Sequence, residues 1–156
     1  MRCRIYTDGS FEGGTKVGGW SMVIAQHDGL EIKRGIIEDA TNNQSELVAV
    51  LNALDYAVRK CIRDIEIITD SMYVLNGATK YLSVWSENGW INNRGYPIQY
   101  RQQWEGVKAM LDSINANNFN VTFSKAKSHS GSSLNELADM EAKKAIAEYV
   151  RNVRRK

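Results

Sequence analysis

Apolar residues follow two different spacings along the chain. Arg2 to Thr7, Gly19 to Gln26 and Glu31 to Glu38 read as three short strands. Gly13-Gly14 and His27-Asp28-Gly29 supply the turns between them, and loops this short favour antiparallel hairpins. From Asn43 the spacing becomes helical, with Leu47, Val50, Leu51, Leu54 and Val58 on one face. Ile65 to Ile68 is then a buried strand, and the preceding helix is long enough for a parallel crossover back to the first strand. Ser71 to Thr79 and Tyr81 to Asn88 read as two short helices. Tyr100 to Ala116 is a longer one, with Trp104, Val107, Met110, Leu111 and Ile114 on one face. Asn120 to Lys125 makes a fifth strand, and Asn135 to about Val150 a last helix. The expected architecture is α/β: a mixed five-stranded sheet, three strands antiparallel and two parallel, flanked by helices.

Composition narrows the class only a little. The 156 residues, 43% hydrophobic and 24% charged, suit a globular chain. They are expected to form one domain over 1–156, with 151–156 as a basic tail. With no run of 18 apolar residues and no signal peptide, a cytoplasmic, non-membrane protein is expected. The net charge of +2 is too small to read nucleic-acid binding from the whole chain, so a local patch would have to supply it. Cys3 and Cys61 lie in or beside core segments without a Cys/His cluster, which favours buried free thiols over zinc.

The chemistry lies in four separated carboxylates. Asp8 follows the apolar Ile5-Tyr6, and Glu46 stands near the start of the first helix. Asp70 closes the strand Ile67-Ile68-Thr69, and Asp139 sits in the last helix. Brought together by strand ends and helix starts, oxygen-only ligands select Mg2+ or Mn2+ rather than zinc. Two such ions can clamp the attacking and leaving oxygens of a phosphodiester, which points to a nuclease. Asp8, at the end of the central strand, is the best placed to bridge two ions. Each acid also has a plainer reading. Glu46 would be the third-position acid of a capping box begun by Asn43, Asp70 a cap for the next helix, Asp8-Gly9-Ser10 a turn, and Asp139 a solvated helix residue.

Six segments stand in order along the chain: Thr7-Asp8-Gly9-Ser10, Thr41-Asn42-Asn43-Gln44-Ser45-Glu46-Leu47, Thr69-Asp70-Ser71-Met72-Tyr73-Val74, Trp85-Ser86-Glu87-Asn88-Gly89-Trp90, His129-Ser130-Gly131 and Asn135-Glu136-Leu137-Ala138-Asp139. Together they resemble type 1 ribonuclease H. The resemblance spans about Arg2 to Val150 and is to stand-alone bacterial- or phage-like members. It implies a ribonuclease H-like fold and a monomeric endonuclease that cuts the RNA strand of RNA–DNA hybrids, leaving 5′-phosphate and 3′-hydroxyl ends. It also implies two Mg2+ ions per site, replaceable by Mn2+, held by Asp8, Glu46, Asp70 and Asp139. Asp8 would share both ions, Asp139 would complete the water-activating site, and Glu46 and Asp70 the site near the leaving oxygen. His129, in a Ser/Gly-rich loop, would be an auxiliary proton shuttle.

For substrate, the resemblance implies that Asn42 and Asn43 meet the RNA minor groove with the backbone at Gly9 and Ser10. Thr41 would belong to a pocket for a DNA phosphate, and Trp85 and Trp90 would lie against DNA sugars. The 2′-hydroxyl is what distinguishes the RNA strand. Two departures stand out. Gly14 has no side-chain amide where relatives often carry Asn, and the Trp85–Trp104 handle has only Arg94 and Arg101 as cations. Two alternatives stay open: a non-catalytic hybrid-binding module, and another ribonuclease H-like nuclease of the transposase or resolvase kind.

Overall fold

The computed structural model describes residues 2–127 and 133–154. Its five strands are β1 (Cys3–Glu12), β2 (Val17–Gln26), β3 (Gly29–Ile37), β4 (Asp64–Thr69) and β5 (Asn120–Lys125). They form one sheet in the order β3-β2-β1-β4-β5. The two hairpins are antiparallel, β4 lies parallel to β1, and β5 lies parallel to β4. This is the mixed sheet the pattern predicts, with β1 in the centre.

β1 is longer than the apolar run that announces it. Its pairing with β2 continues to Glu12 opposite Val17, whereas its pairing with β4 stops at Tyr6 opposite Ile68. Asp8, Gly9 and Ser10 are therefore strand residues and not the turn or strand end expected from sequence. Asp8 nevertheless stands just beyond the last β1–β4 pair, where the parallel part of the sheet opens.

The helices are α1 (Asn42–Arg59), α2 (Met72–Asn76), α3 (Leu82–Glu87), α4 (Arg101–Ala116) and α5 (Ser133–Arg154). The two short helices expected after Asp70 are one helical run, because a π-helical turn at Gly77–Tyr81 joins α2 to α3. Gly77 is pressed against the indole of Trp104, where a Cβ would come within 2.2 Å of the ring. α5 continues past Val150 to Arg154, and Arg151 and Arg154 in its last turn suit the negative end of the helix dipole.

The main core lies between one sheet face and helices α1 and α4. Ile5, Ile65 and Ile67 meet Leu47, Val50 and Leu54 there, with Trp104 and Val107 behind them, all fully buried. Each such side chain contributes about 1.5–3 kcal/mol of burial free energy. Because strand residues alternate faces, Arg4, Tyr6 and Asp8 point to the other side, which α5 covers over β1 and β2. Cys3 is buried, but Cys61 is exposed at φ 53° in the turn after α1, against the expectation of two buried thiols; both are free. Among the described residues, no helix is long and apolar enough to cross a membrane.

Candidate active site

Three elements deliver the first three carboxylates to one point. Gly9, next to Asp8, carries no side chain, and a Cβ there would fall 2.3 Å from the backbone nitrogen of Glu46. Strand β1 and the first turns of α1 therefore touch backbone to backbone. The contact is closed by the Gly9 amide, which donates to Glu46 Oε1 at 2.5 Å. Asp70 follows the last residue of β4, at the level where the parallel ladder opens. One oxygen from each of Asp8, Glu46 and Asp70 lies within 4.8 Å of the others.

None of the three serves as a cap or a turn. The N-cap of α1 is Thr41, whose hydroxyl accepts from the Gln44 amide, so Asn43 is not the cap and Glu46 sits one turn further in. The cap of α2 is Ser71, whose hydroxyl accepts from the Val74 amide, and Asp70 stands outside that helix. Asp139 faces the same cleft of about 390 Å³, with Asp8, Gly9, Asn42, Asn43, Glu46 and Asp70. It is half-exposed and accepts a hydrogen bond from Lys143 one helical turn on, at 3.0 Å.

Asp8 and Glu46 are buried at 4% and 6% exposure. Burial, and then the negative charge of Glu46 and Asp70, pushes the Asp8 carboxyl far above the usual carboxylate range. Burial also raises Glu46, with Asp70 and Asp139 acting in the same direction, while hydrogen bonding, including that from the Gly9 amide, offsets part of the shift. The Asp139 carboxylate, and at longer range Asp8, holds the Lys143 ammonium above its usual value. Glu46 Oε2 is buried without a hydrogen-bond partner. An orphaned carboxylate oxygen facing other carboxylates is costly, and a hard divalent cation with oxygen ligands would satisfy it. The donor set fits such an ion.

The other expected residues divide. Asn42 and Asn43 are exposed at the cleft rim, and Gly9 lies in its floor. Ser10 points instead to a neighbouring cleft with Phe11 and Lys143. Thr41 makes a hydroxyl–hydroxyl hydrogen bond to Tyr100, away from the carboxylates. Trp85 and Trp90 are partly buried against the core, and Trp85 meets Trp104 edge-on with ring centroids 5.3 Å apart. His129 lies outside the described residues. Ser71, Met72 and Tyr73 also line the cleft and were not anticipated. Lys143 was missed too, although its position four residues after Asp139 on a helix is a readable signal.

The family model for RNase H matches residues 2–147. The chain belongs to the ribonuclease H family. Ribonuclease H of Francisella tularensis subsp. novicida is 39% identical over 145 residues, covering 93% of this chain and 91% of that one. Ribonuclease H of Francisella philomiragia is 39% identical over 143 residues, covering 92% and 90%. Among solved structures, the PFV RNase H domain superposes with a TM-score of 0.73 at 26% identity, covering 92% of this chain and 93% of that domain. Two others show the fold. RNase H1 of Halobacterium salinarum has a TM-score of 0.70 at 24% identity, covering 95% and 99%. The foamy viral protease-reverse transcriptase in complex with RNA/DNA hybrid has 0.77 at 24%, covering 92% of this chain and 20% of that one. Membership makes the chain a ribonuclease H, a nuclease.

Proposed function

We propose that the chain cuts the RNA strand of RNA–DNA hybrids by two-metal-ion catalysis at the cluster of Asp8, Glu46, Asp70 and Asp139, giving 5′-phosphate and 3′-hydroxyl ends. The observation that carries the reading is the convergence of three carboxylates within 4.8 Å with the buried, unpartnered Glu46 Oε2 among them. Asp8, between the other two segments, would share both ions; Asp139 would complete one site, and Glu46 with Asp70 the other. Divalent cations, Mg2+ with Mn2+ as a substitute, would supply Lewis-acid stabilisation of the attacking water and the leaving 3′ oxygen.

The chain's own residues do the rest. The Gly9 amide fixes the Glu46 carboxylate, and the rigid β1–α1 contact holds it beside Asp8, so ligand geometry is set before substrate arrives. Asn42 and Asn43, exposed at the rim, would read the RNA minor groove, where the 2′-hydroxyl is both donor and acceptor. His129 would move a proton at the product side. A non-catalytic hybrid-binding module would have no use for a buried, mutually repelling carboxylate set.

The test is cleavage of an end-labelled RNA–DNA hybrid, with duplex DNA and a four-way junction beside it. Cleavage of the hybrid alone, dependent on Mg2+ and abolished by Asp70→Asn with the fold retained, is expected. Near-normal turnover by that variant overturns the site, and preferred cleavage of the junction turns the reading to a resolvase.

A further inference from the structure

We propose that Ser21, on the strand next to Asp8, is a positioning residue for the metal site, setting Asp139 against Asp8 through the backbone of α5. The inference rests on the reading above that Asp8 and Asp139 serve one metal site. Ser21 is the antiparallel partner of Asp8 in the β1–β2 ladder, so the two side chains leave the sheet on the same face. It is fully buried, and its hydroxyl donates to the backbone carbonyl of Ala138, the residue before Asp139. One side chain therefore links the strand pair that carries Asp8 to the helix position that carries Asp139.

A second contact fixes the register. Two residues earlier on β2, Gly19 lies so close to α5 that a Cβ would fall 2.2 Å from the carbonyl oxygen of Ala142. Ala138 and Ala142 are four residues apart, a rise of about 6 Å along a helix. Ser21 and Gly19 are two apart, about 6.8 Å along an antiparallel strand. The two spacings match, so consecutive turns of α5 seat on alternate residues of β2. Gly19 permits the approach, and the Ser21 hydroxyl selects one axial position. Sliding α5 by one residue would move Asp139 by about 1.5 Å and rotate it by about 100°, which takes a carboxylate out of ligand reach.

Other ties hold α5 further from the carboxylates. Arg34 on β3 bonds Glu141 at 2.9 Å and Glu148 at 2.7 Å, and Tyr149 donates to Glu38 at 2.8 Å. They keep the helix on the sheet when the Ser21 hydroxyl is removed, and Ala138 O retains its place in the helical ladder. Ser21→Ala is therefore expected to fold.

The experiment compares Ser21→Ala, Tyr149→Phe and Asp139→Asn with the parent chain. Direct Mn2+ binding is followed by calorimetry without nucleic acid, and the Mg2+ midpoint and KM are measured in hybrid cleavage. Ser21→Ala should weaken Mn2+ binding and raise the Mg2+ midpoint roughly 10-fold, the low end of the roughly 10- to 100-fold scale seen when supporting contacts of metal ligands are lost, with KM for hybrid within about twofold. Tyr149→Phe, which loosens the same helix ten residues from Asp139, should lower the melting temperature and leave the metal midpoint in place. An unmoved midpoint in Ser21→Ala while Asp139→Asn shifts it overturns the inference. An equal shift in Tyr149→Phe overturns it too, since α5 stability alone would then be the cause. An unmoved midpoint in Asp139→Asn instead overturns the reading of the metal site itself.

Discussion

Asp8→Asn should stabilise the protein in the absence of metal while destroying its activity. Oxygens of Asp8, Glu46 and Asp70 lie within 4.8 Å, and two unit charges at that distance repel by about 3.5 kcal/mol at an effective dielectric of about 20. The metal-free protein escapes part of this by keeping Asp8 protonated. Holding an acid of ordinary pKa 3.8 neutral at neutral pH costs about 4 kcal/mol, at about 1.4 kcal/mol per pH unit. Either way the native Asp8 costs a few kcal/mol that an amide of the same shape avoids. Relaxation of the open cleft reduces the difference, so a gain of about 1–3 kcal/mol is expected, or a melting temperature higher by about 3–10 °C for a chain of this length. The pH dependence has a definite sign. The folded Asp8 carboxyl lies above its unfolded value, so its stabilisation is complete only below about pH 4 and is lost as pH rises towards the folded value. Melting temperatures in chelator should fall between pH 5 and 9 for the parent chain and fall less for Asp8→Asn. Added Mg2+ should restore the parent chain and do less for the variant. Calorimetric melting in chelator and across a Mg2+ series measures all of this. A variant melting below the parent in chelator, or with the same pH slope, would show that repulsion at Asp8 does not govern the site.

Two further outcomes are expected. His129→Ala should lower turnover roughly 10- to 100-fold, the modest end of acid–base effects, with hybrid affinity unchanged; a collapse of metal affinity would make His129 a ligand. In the handle, Arg101 is already paired with Glu105 at 2.6 Å, so replacing Arg94 and Arg101 together should flatten the salt dependence of hybrid binding by at most about two units of slope. Lysines at Ser86 and Gln99 should tighten binding at low salt, measured across a salt series in the Asp8→Asn background; unchanged affinity would leave Trp85 and Trp90 as packing alone.

The architecture was legible because its signals are local. Apolar spacing changes from strand to helix at Asn43, short glycine turns set the hairpins, and a long helix before Ile65 sets the parallel crossover, as observed. What the pattern could not show depends on partners outside the segment itself. β1 runs on to Glu12 through pairing with Val17, although Asp8-Gly9-Ser10 has the composition of a turn. The helix from Met72 to Glu87 is joined by a π-helical turn where Gly77 meets Trp104, 27 residues away in the chain. The Gly9–Glu46 backbone contact and the Ser21–Ala138 bond belong to the same class, since nothing in either neighbourhood names its partner.

Asp8, Glu46 and Asp70 neither cap a helix nor turn the chain. A carboxylate before a helix would ordinarily cap it, yet Thr41 caps α1 and Ser71 caps α2, each with a hydroxyl that accepts as well without adding charge. Asp-Gly-Ser would ordinarily turn the chain, yet here it continues a paired strand. Both caps are made by neutral neighbours, and the carboxylates are left facing one another in a cleft, two of them buried. Neutral residues at positions 8, 46 and 70 would keep every cap and every strand pair and would remove the repulsion. A fold that nevertheless carries carboxylates there is arranged around a positive charge that, among the described residues, no side chain supplies at that point. Lys143 bonds Asp139, where both side chains are exposed, while the buried Glu46 Oε2 remains unpartnered. A divalent cation answers both the charge and the missing partner.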